Sequence, residues 1–443
     1  ERGEERDLFY RHLAIVPRPL GLENPDIPDT LSRIVGKCLE KSPESRYMSA
    51  YGLKLDLEKL LSSLESTGEA PLFELGEHDV PRRFRFPRAL YGRHEERRLL
   101  VEALERAKAE AVETVEIQGG GGVGKTFLVE ETLRETDIGE GGIAAGRFDS
   151  RSEAAPYAAW IQIIESLTDR LLAISKLEIE VWKLRMLNAL EGQGRLLVER
   201  VPRLELLIGP QPEMPALPPA EAKRRFHKAL ARFFHVFSWR DRPLVLFLDD
   251  LHRADEASLS FLYDFLEDGD TKQTLLVLAY RDDEPDGDNK LRQLRERLSG
   301  RGTGCTRLRL APLIENEVEK LLQEALRGEP ERNRELAALL HRKTYGNPLF
   351  LKQLLKDLLE SRVVTFDEDA GRWTWDEKAV AKVGIAEDAA AYLSEKLRHM
   401  PEALAHMLSR AAMLGSSFEA VRLKPLVGLD EERLSEAIET AVR

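Results

Sequence analysis

Only two cysteines, Cys38 and Cys305, occur in 443 residues, and they stand far apart. That leaves no disulfide framework and no paired metal-ligand spacing, and both fit reduced thiols in a cytoplasmic protein. Long apolar runs are lacking as well. The run at 243–248 is far shorter than the roughly twenty residues a spanning helix needs, and no signal peptide opens the chain. There is no basic excess: a net charge of −12 argues against a broad nucleic-acid or anionic-membrane surface, while leaving room for a local basic patch. What remains, 42% hydrophobic and 33% charged residues, describes globular material with heavily solvated helices. The length exceeds one typical core, so about two to four domains are expected. The chain starts at Glu1 and stops inside a helical pattern at Arg443, which reads as a segment of a longer protein.

Segment 114–129, TVEIQGGGGVGKTFLV, organises the rest. Val115 and Ile117 form an apolar strand pattern that runs into Gly119, Gly120, Gly121 and Gly122, then Val123, Gly124, Lys125 and Thr126. The order satisfies G-x-x-x-x-G-K-[ST]. Glycines let successive backbone N–H groups turn inward around a phosphate, at the positive end of a helix that continues through Phe127. Lys125 is placed to meet the β- and γ-phosphates, and Thr126 to offer its hydroxyl to Mg²⁺. The expected ligands are therefore ATP or ADP and Mg²⁺. A flexible glycine loop with a chance lysine is the plain alternative.

Residues 244–248 form a continuous apolar run, the mark of a strand buried on both faces, and end in Asp249 and Asp250. Two carboxylates there are costly unless they face a cation or water. Asp249 is expected to orient the Mg²⁺ shell and Asp250 to position or polarise the attacking water. The apolar strand at 273–280 is followed by Arg281, Asp282 and Asp283; Arg281 reaches a γ-phosphate, pairs with one of those aspartates, or does both. Segments 141–149 and 307–313 supply further strands. Five strands with intervening helices predict a doubly wound α/β fold, a three-layer αβα parallel sheet of the P-loop NTPase class, with nucleotide at the carboxyl ends. Between the second and third strands, 150–220 is helical by pattern and closes on a proline-rich connector, IGPQPEMPALPP. Phe226, Leu230, Phe233, Phe234 and Phe237 then mark a core-facing helix.

Around this domain, 89–313, lie four further segments. In 1–62, Leu31, Ile34, Val35 and Leu39, then Leu53, Leu57, Leu60 and Leu61, predict two short amphipathic helices about a KSPESRY turn. Residues 63–88 read as a linker. Its Arg82, Arg83, Arg85 and Arg88, interleaved with Phe84 and Phe86, suit docking on an acidic neighbour better than nucleic acid. A small helical domain at 314–358 contains TYGNPLFLKQLL, whose Gly-Asn-Pro is also an ordinary helix-starting turn. Finally, 359–443 opens with a β-hairpin pattern (Val364, Phe366, Trp373, Trp375) about 369–371 and continues as helices.

Several of these stretches resemble known families. PDIPDTLSRIVGKCLEKSPESRYMSAYGLKLDLEKLL is similar to the last helices of a bacterial serine/threonine kinase C-lobe, in which the arginine matching Arg46 pairs with an activation-segment glutamate. Kinase catalytic groups would lie upstream of Glu1. The succession LYGR, GVGKT, GRFD, LIGPQP, LFLDDLHRAD, AYRDDE and GNPLFL resembles STAND and AAA-type ATPases of multidomain bacterial signalling kinases, often fused to sensor and histidine-kinase domains. The resemblance implies that Tyr91, Gly92 and Arg93 line the adenine, with His94 departing from the usual glutamate; that Arg281 is a sensor arginine; that Pro348 is brought onto the nucleotide; and that 359–443 begins a winged-helix domain, acidic here and so a packing latch. Two further departures, Arg253 in place of an aromatic and three glycines at variable loop positions, touch fine tuning of hydrolysis. The implied function is a slow Mg-ATP switch governing kinase output or oligomeric state, with other domains of the same polypeptide as partners and nucleic acid not expected. The alternatives are a nucleotide-holding scaffold, or a transcription regulator with a DNA-binding domain beyond Arg443.

Overall fold

Five parallel strands form the sheet of one of the chain's two structural units: β1 (Val112–Gln118), β2 (Ile143–Arg147), β3 (Leu244–Asp249), β4 (Thr274–Tyr280) and β5 (Cys305–Arg309). The computed structural model describes residues 17–41, 45–77, 79, 84, 86–109, 112–136, 142–148, 156–238, 242–281, 292–294, 296–297, 304–326, 330–367, 372–382, 402–414, 420–427, 434 and 438. The sheet unit comprises 92–312, 347–349 and 386–443, and the other unit 1–91, 313–346 and 350–385.

The strand order is β2-β3-β4-β1-β5. β3 and β4 are buried along their whole length, as uninterrupted apolar runs between two helical layers must be. This is the three-layer α/β P-loop fold. β4 separates β1 from β3, so the loop after β1 and the two aspartates ending β3 face one crevice at the carboxyl edge of the sheet.

Helices Ala158–Leu172, Pro219–His235 and Glu256–Glu267 share a core centred on Trp160, Phe233, Phe234, Phe261 and Phe265. Trp160 meets Phe261 edge to face, centroids 4.7 Å apart, an arrangement the ring quadrupoles favour. Helix Ala158–Leu172 lies close over β2 because Gly146 has no side chain: a Cβ there would fall 2.2 Å from the Ala159 carbonyl oxygen. The segment 209–218 carries no helix or strand, and the next helix opens on Pro219, as the prolines require.

The observed strands differ in detail from the sequence pattern. β5 begins at Cys305 and ends at Arg309 rather than spanning 307–313. β1 buries Glu113 and Glu116 beside Val115 and Ile117, because each carboxylate finds partners. Glu113 pairs with Arg106 at 3.0 Å, and Glu116 accepts from Tyr280, Cys305 and Arg307.

In the other unit, helices Asp29–Cys38 and Ala50–Thr67 form as expected, but the buried stripe of the second is Gly52, Asp56 and Leu60, while Leu57 and Leu61 are exposed, as is Leu39. The reason is polar. Asp56 accepts hydrogen bonds from the Tyr47 hydroxyl (2.6 Å) and the Gly76 N–H (2.7 Å), and Asp79 accepts from the N–H groups of Met48 and Ser49. The segment read as a linker is thus helical to Thr67, ends on left-handed Gly68 (φ 73°), and is fastened back to the helix pair at Gly76 and Asp79. Arg46 donates to the Glu40 carbonyl oxygen at 2.7 Å.

Helices Glu315–Leu326, Pro330–Thr344 and most of Pro348–Glu360 share one core with the hairpin β6 (Val364–Asp367) and β7 (Arg372–Trp375). Val364, Trp373 and Trp375 pack there with Leu322, Leu340 and Leu355, so the hairpin belongs to the core of the small helical domain. Phe84 and Phe86 dock on it too, Phe84 edge-on to Trp373 with centroids 6.1 Å apart. The flanking Arg82, Arg83 and Arg85 lie outside the described residues, as do 368–371 and 383–401 of the hairpin turn and the expected winged helix. Helices Glu402–Leu414 and Ala420–Val427 pack through Met407, Ala411 and Leu423.

Candidate nucleotide site

The loop between β1 and helix Lys125–Arg134 is the centre of the site. Gly124, with φ 98°, precedes the helix, a backbone form that favours glycine. Lys125 is buried, and its ammonium donates to the carbonyl oxygens of Gly119 (2.7 Å) and Gly120 (3.0 Å), folding the loop around the side chain. The Thr126 hydroxyl donates to Asp249 Oδ2 at 2.7 Å. Two residues predicted to share a Mg²⁺ ion therefore touch across the sheet edge. A hydroxyl beside a buried carboxylate at the head of a glycine loop is an oxygen donor set that suits a hard cation keeping several waters. Among the described residues no group of three or more His, Cys, Asp or Glu side chains forms a protein-only metal cage, and this cation shell needs none. The pair fits Mg²⁺.

Asp250 follows in the left-handed conformation, φ 54°, ahead of a 3-10 turn at Leu251–Arg253. Its N–H donates to Asp249 Oδ1 at 2.9 Å, so the kink sends the two carboxylates in different directions. Asp250 Oδ2 meets Arg147 Nε at 2.9 Å and Nη2 at 2.7 Å, and Arg281 Nε stands 3.8 Å from Oδ1. Arg281 thus faces the β3 carboxylate; Asp282 and Asp283, its other expected partners, lie outside the described residues. Its guanidinium also lies along the loop, with Nη1 3.4 Å from where a Cβ on Gly121 would sit.

The remaining predicted residues are placed as follows. Arg93 is buried; its guanidinium donates to the carbonyl oxygens of Ala311 and Val123 (the latter at 3.4 Å) and pairs with Glu96 at 3.3 Å. It therefore ties the loop to the exit of β5. Tyr91 lies in the other unit, where its hydroxyl donates to Glu324 at 2.6 Å, and burial with that bond pushes its pKa upward. Pro348 opens helix Pro348–Glu360, and its neighbours Asn347 and Leu349 contact the loop: Asn347 Nδ2 donates to the Gly121 carbonyl at 2.8 Å and the Leu349 N–H to that of Gly122 at 3.3 Å.

Arg147 and Asn347 escaped the sequence reading. Arg147 sits in GRFD and becomes visible only through register, because β2 pairs it with Asp249. Asn347 was hidden between the two residues of the Gly-x-Pro pattern that carry the backbone signal.

Residues 89–278 match the family model described as the AAA ATPase domain, and 314–372 match a domain of unknown function, DUF8739. A hybrid signal transduction histidine kinase G from Dictyostelium discoideum is 25% identical over 96% of this chain, and the chain spans 15% of that protein's length. Among solved structures, the Aeropyrum pernix Orc1 protein in complex with DNA is 18% identical, with a TM-score of 0.41 over 80% of this chain and 84% of that one. A STAND protein with a tetratricopeptide repeat sensor from Pyrococcus horikoshii is 15% identical, with a TM-score of 0.35 over 80% of this chain and 39% of that one. Together with the sheet and its loop, the domain match supports an AAA-type ATPase module that binds and hydrolyses nucleotide. No described helix is long and apolar enough to cross a membrane.

Proposed function

We propose that residues 89–313 bind Mg-ATP and hydrolyse it slowly, and that nucleotide state in this STAND-type module switches the output or oligomeric state of a larger cytoplasmic signal-transduction kinase. The observation that carries the reading is the Thr126–Asp249 hydrogen bond beside a buried Lys125 at the head of a glycine loop. Thr126 and Asp249 would hold Mg²⁺, whose charge offsets that of the phosphates. In the same reading the backbone from Gly119 and Gly122 through Val123 and Gly124 to Phe127 cradles phosphate, Lys125 neutralises it, Asp250 polarises the attacking water and Arg281 approaches the γ-phosphate. Gly92, Arg93 and Pro348 are assigned to the adenine end.

The kinase context is supported by the name of the Dictyostelium relative and by the resemblance of 1–62 to a kinase C-lobe tail. Its inputs, its phosphorylation target and its other domains belong to the parent protein.

The test is binding and turnover by the purified chain. Wild type should bind ATP and release phosphate; Lys125→Ala should lose binding; Asp250→Asn should bind ATP yet turn over at least about a hundredfold more slowly, the usual contribution of a positioned base. Unchanged ATP binding in Lys125→Ala would defeat the reading. ATP binding without phosphate release by wild type would reduce the module to a nucleotide-holding scaffold, and equal release by wild type and Asp250→Asn would remove Asp250 from the hydrolytic step.

A further inference from the structure

We propose that Asn347 is a positioning residue for the phosphate loop, setting the peptide planes that aim two loop N–H groups at bound phosphate. The inference rests on the nucleotide-binding reading above and deepens it. The amide Nδ2 of Asn347 donates to the Gly121 carbonyl at 2.8 Å, and the Leu349 N–H donates to the Gly122 carbonyl at 3.3 Å. The clip is itself locked, since Asn347 Oδ1 accepts from the Leu349 N–H at 3.0 Å.

A trans peptide is planar, with its carbonyl and N–H pointing to opposite sides. Holding the Gly121 carbonyl towards Asn347 therefore turns the Gly122 N–H away from it. Holding the Gly122 carbonyl towards Leu349 does the same for the Val123 N–H. Two consecutive N–H groups fixed on the side opposite the clip make the kind of concavity that binds a phosphate oxygen, and the cost of orienting them is met before ligand arrives.

The clip also accounts for glycine at position 122. Gly122 has φ 79°, and a Cβ there would lie 2.8 Å from both Asn347 Oδ1 and Leu349 Cβ. A side chain at 122 would crowd the Asn347 and Leu349 groups that hold the loop from outside.

The experiment measures ATP and ADP dissociation constants for the 443-residue chain by calorimetry, with thermal melts lacking nucleotide as a check on folding. Asn347→Ala removes the donor and the local cap. Asn347→Ser keeps a neutral side-chain acceptor for the Leu349 N–H and is too short to reach the Gly121 carbonyl, so a residue that merely shapes the turn would leave it like wild type. Both variants should bind ATP and ADP about tenfold or more weakly, the scale of one lost hydrogen bond with its preorganisation. Gly122→Ala, which displaces the clip from the loop side, should show the same loss and remains informative if Asn347→Ala does not fold. Wild-type affinity in either Asn347 variant overturns the inference and leaves the nucleotide reading intact. Failure of wild type to bind either nucleotide overturns both.

Discussion

Arg147 holds Asp250 through two nitrogens on one oxygen, Nε at 2.9 Å and Nη2 at 2.7 Å from Oδ2. Arg281 stands 3.8 Å from the other oxygen. With two Arg147 nitrogens on Oδ2, that oxygen has less lone-pair capacity left to orient a water molecule. Arg147→Ala is therefore expected to raise the ATP turnover number by roughly three- to tenfold while changing the ATP dissociation constant little. Stability should fall by no more than about 1 kcal/mol, since Arg147 is largely exposed and water replaces much of the pair. Single-turnover phosphate release checks this, and a loss of rate would instead make Arg147 part of the productive arrangement.

The Thr126–Asp249 contact yields a metal-specific expectation. Thr126→Ser keeps the hydroxyl that now reaches Asp249 Oδ2 at 2.7 Å, and Thr126→Val removes it at similar volume. Binding of ATP with Mg²⁺ should weaken about tenfold to a hundredfold in the valine variant and stay near wild type in the serine variant. In excess EDTA all three proteins should converge. Titrations with and without Mg²⁺ make the comparison, and a valine variant that still gains affinity from Mg²⁺ as wild type does would remove Thr126 from the metal shell.

How far the sequence reached follows from which forces leave a trace in pattern. The uninterrupted apolar strands β3 and β4 and the Gly-x-x-x-x-Gly-Lys-Thr loop are local signals, and the parallel sheet followed from them. The stripe of the helix Ala50–Thr67 was misread because Asp56 is buried by its bonds to Tyr47 and Gly76, which hydrophobic spacing does not record. Glu116 at the centre of β1 was missed for the same reason. Arg147 and Asn347 depend on which strand lies beside which and on a contact between segments more than two hundred positions apart. Neither relation is written in local sequence.

His227 gives the fold a direction of pH dependence. Its ring is buried between Tyr157, whose hydroxyl lies 2.8 Å from Nε2, and Asp264, 2.5 Å from Nδ1. Burial holds its pKa below the usual 6.5, outweighing the pull of Asp264, and burial lowers His235 likewise. As pH falls below about 6.5 the unfolded chain takes up protons that the folded chain refuses, so stability is lost on acidification through that window. Urea midpoints measured at pH 7.5 and 5.5 should fall between the two for wild type and fall less for His227→Gln, which cannot titrate. An equal fall in both proteins would mean that other groups carry the dependence.

Cys305 should be a sluggish thiol despite its partial exposure. Burial first, then its hydrogen bond to Glu116 Oε1 at 3.2 Å and the charge of that carboxylate, push its pKa up to about 12. Against an ordinary 9.0, the thiolate fraction at pH 8 is then smaller by about a thousandfold, and only the thiolate attacks. In a Cys38→Ser background, reaction with a disulfide reagent at pH 8 should be correspondingly slow in the native protein and fast once it is unfolded in urea. Glu116→Gln should speed the native reaction several-fold, because it removes the negative charge that opposes ionisation; burial, the larger cause, keeps it well below the unfolded rate. The Tyr280 hydroxyl, 2.9 Å from Glu116 Oε2, can donate to the glutamine carbonyl, and Arg307 is exposed enough to turn to water, so the variant is expected to fold. A native thiol that reacts at the unfolded rate before the substitution would show that Glu116 does not guard it.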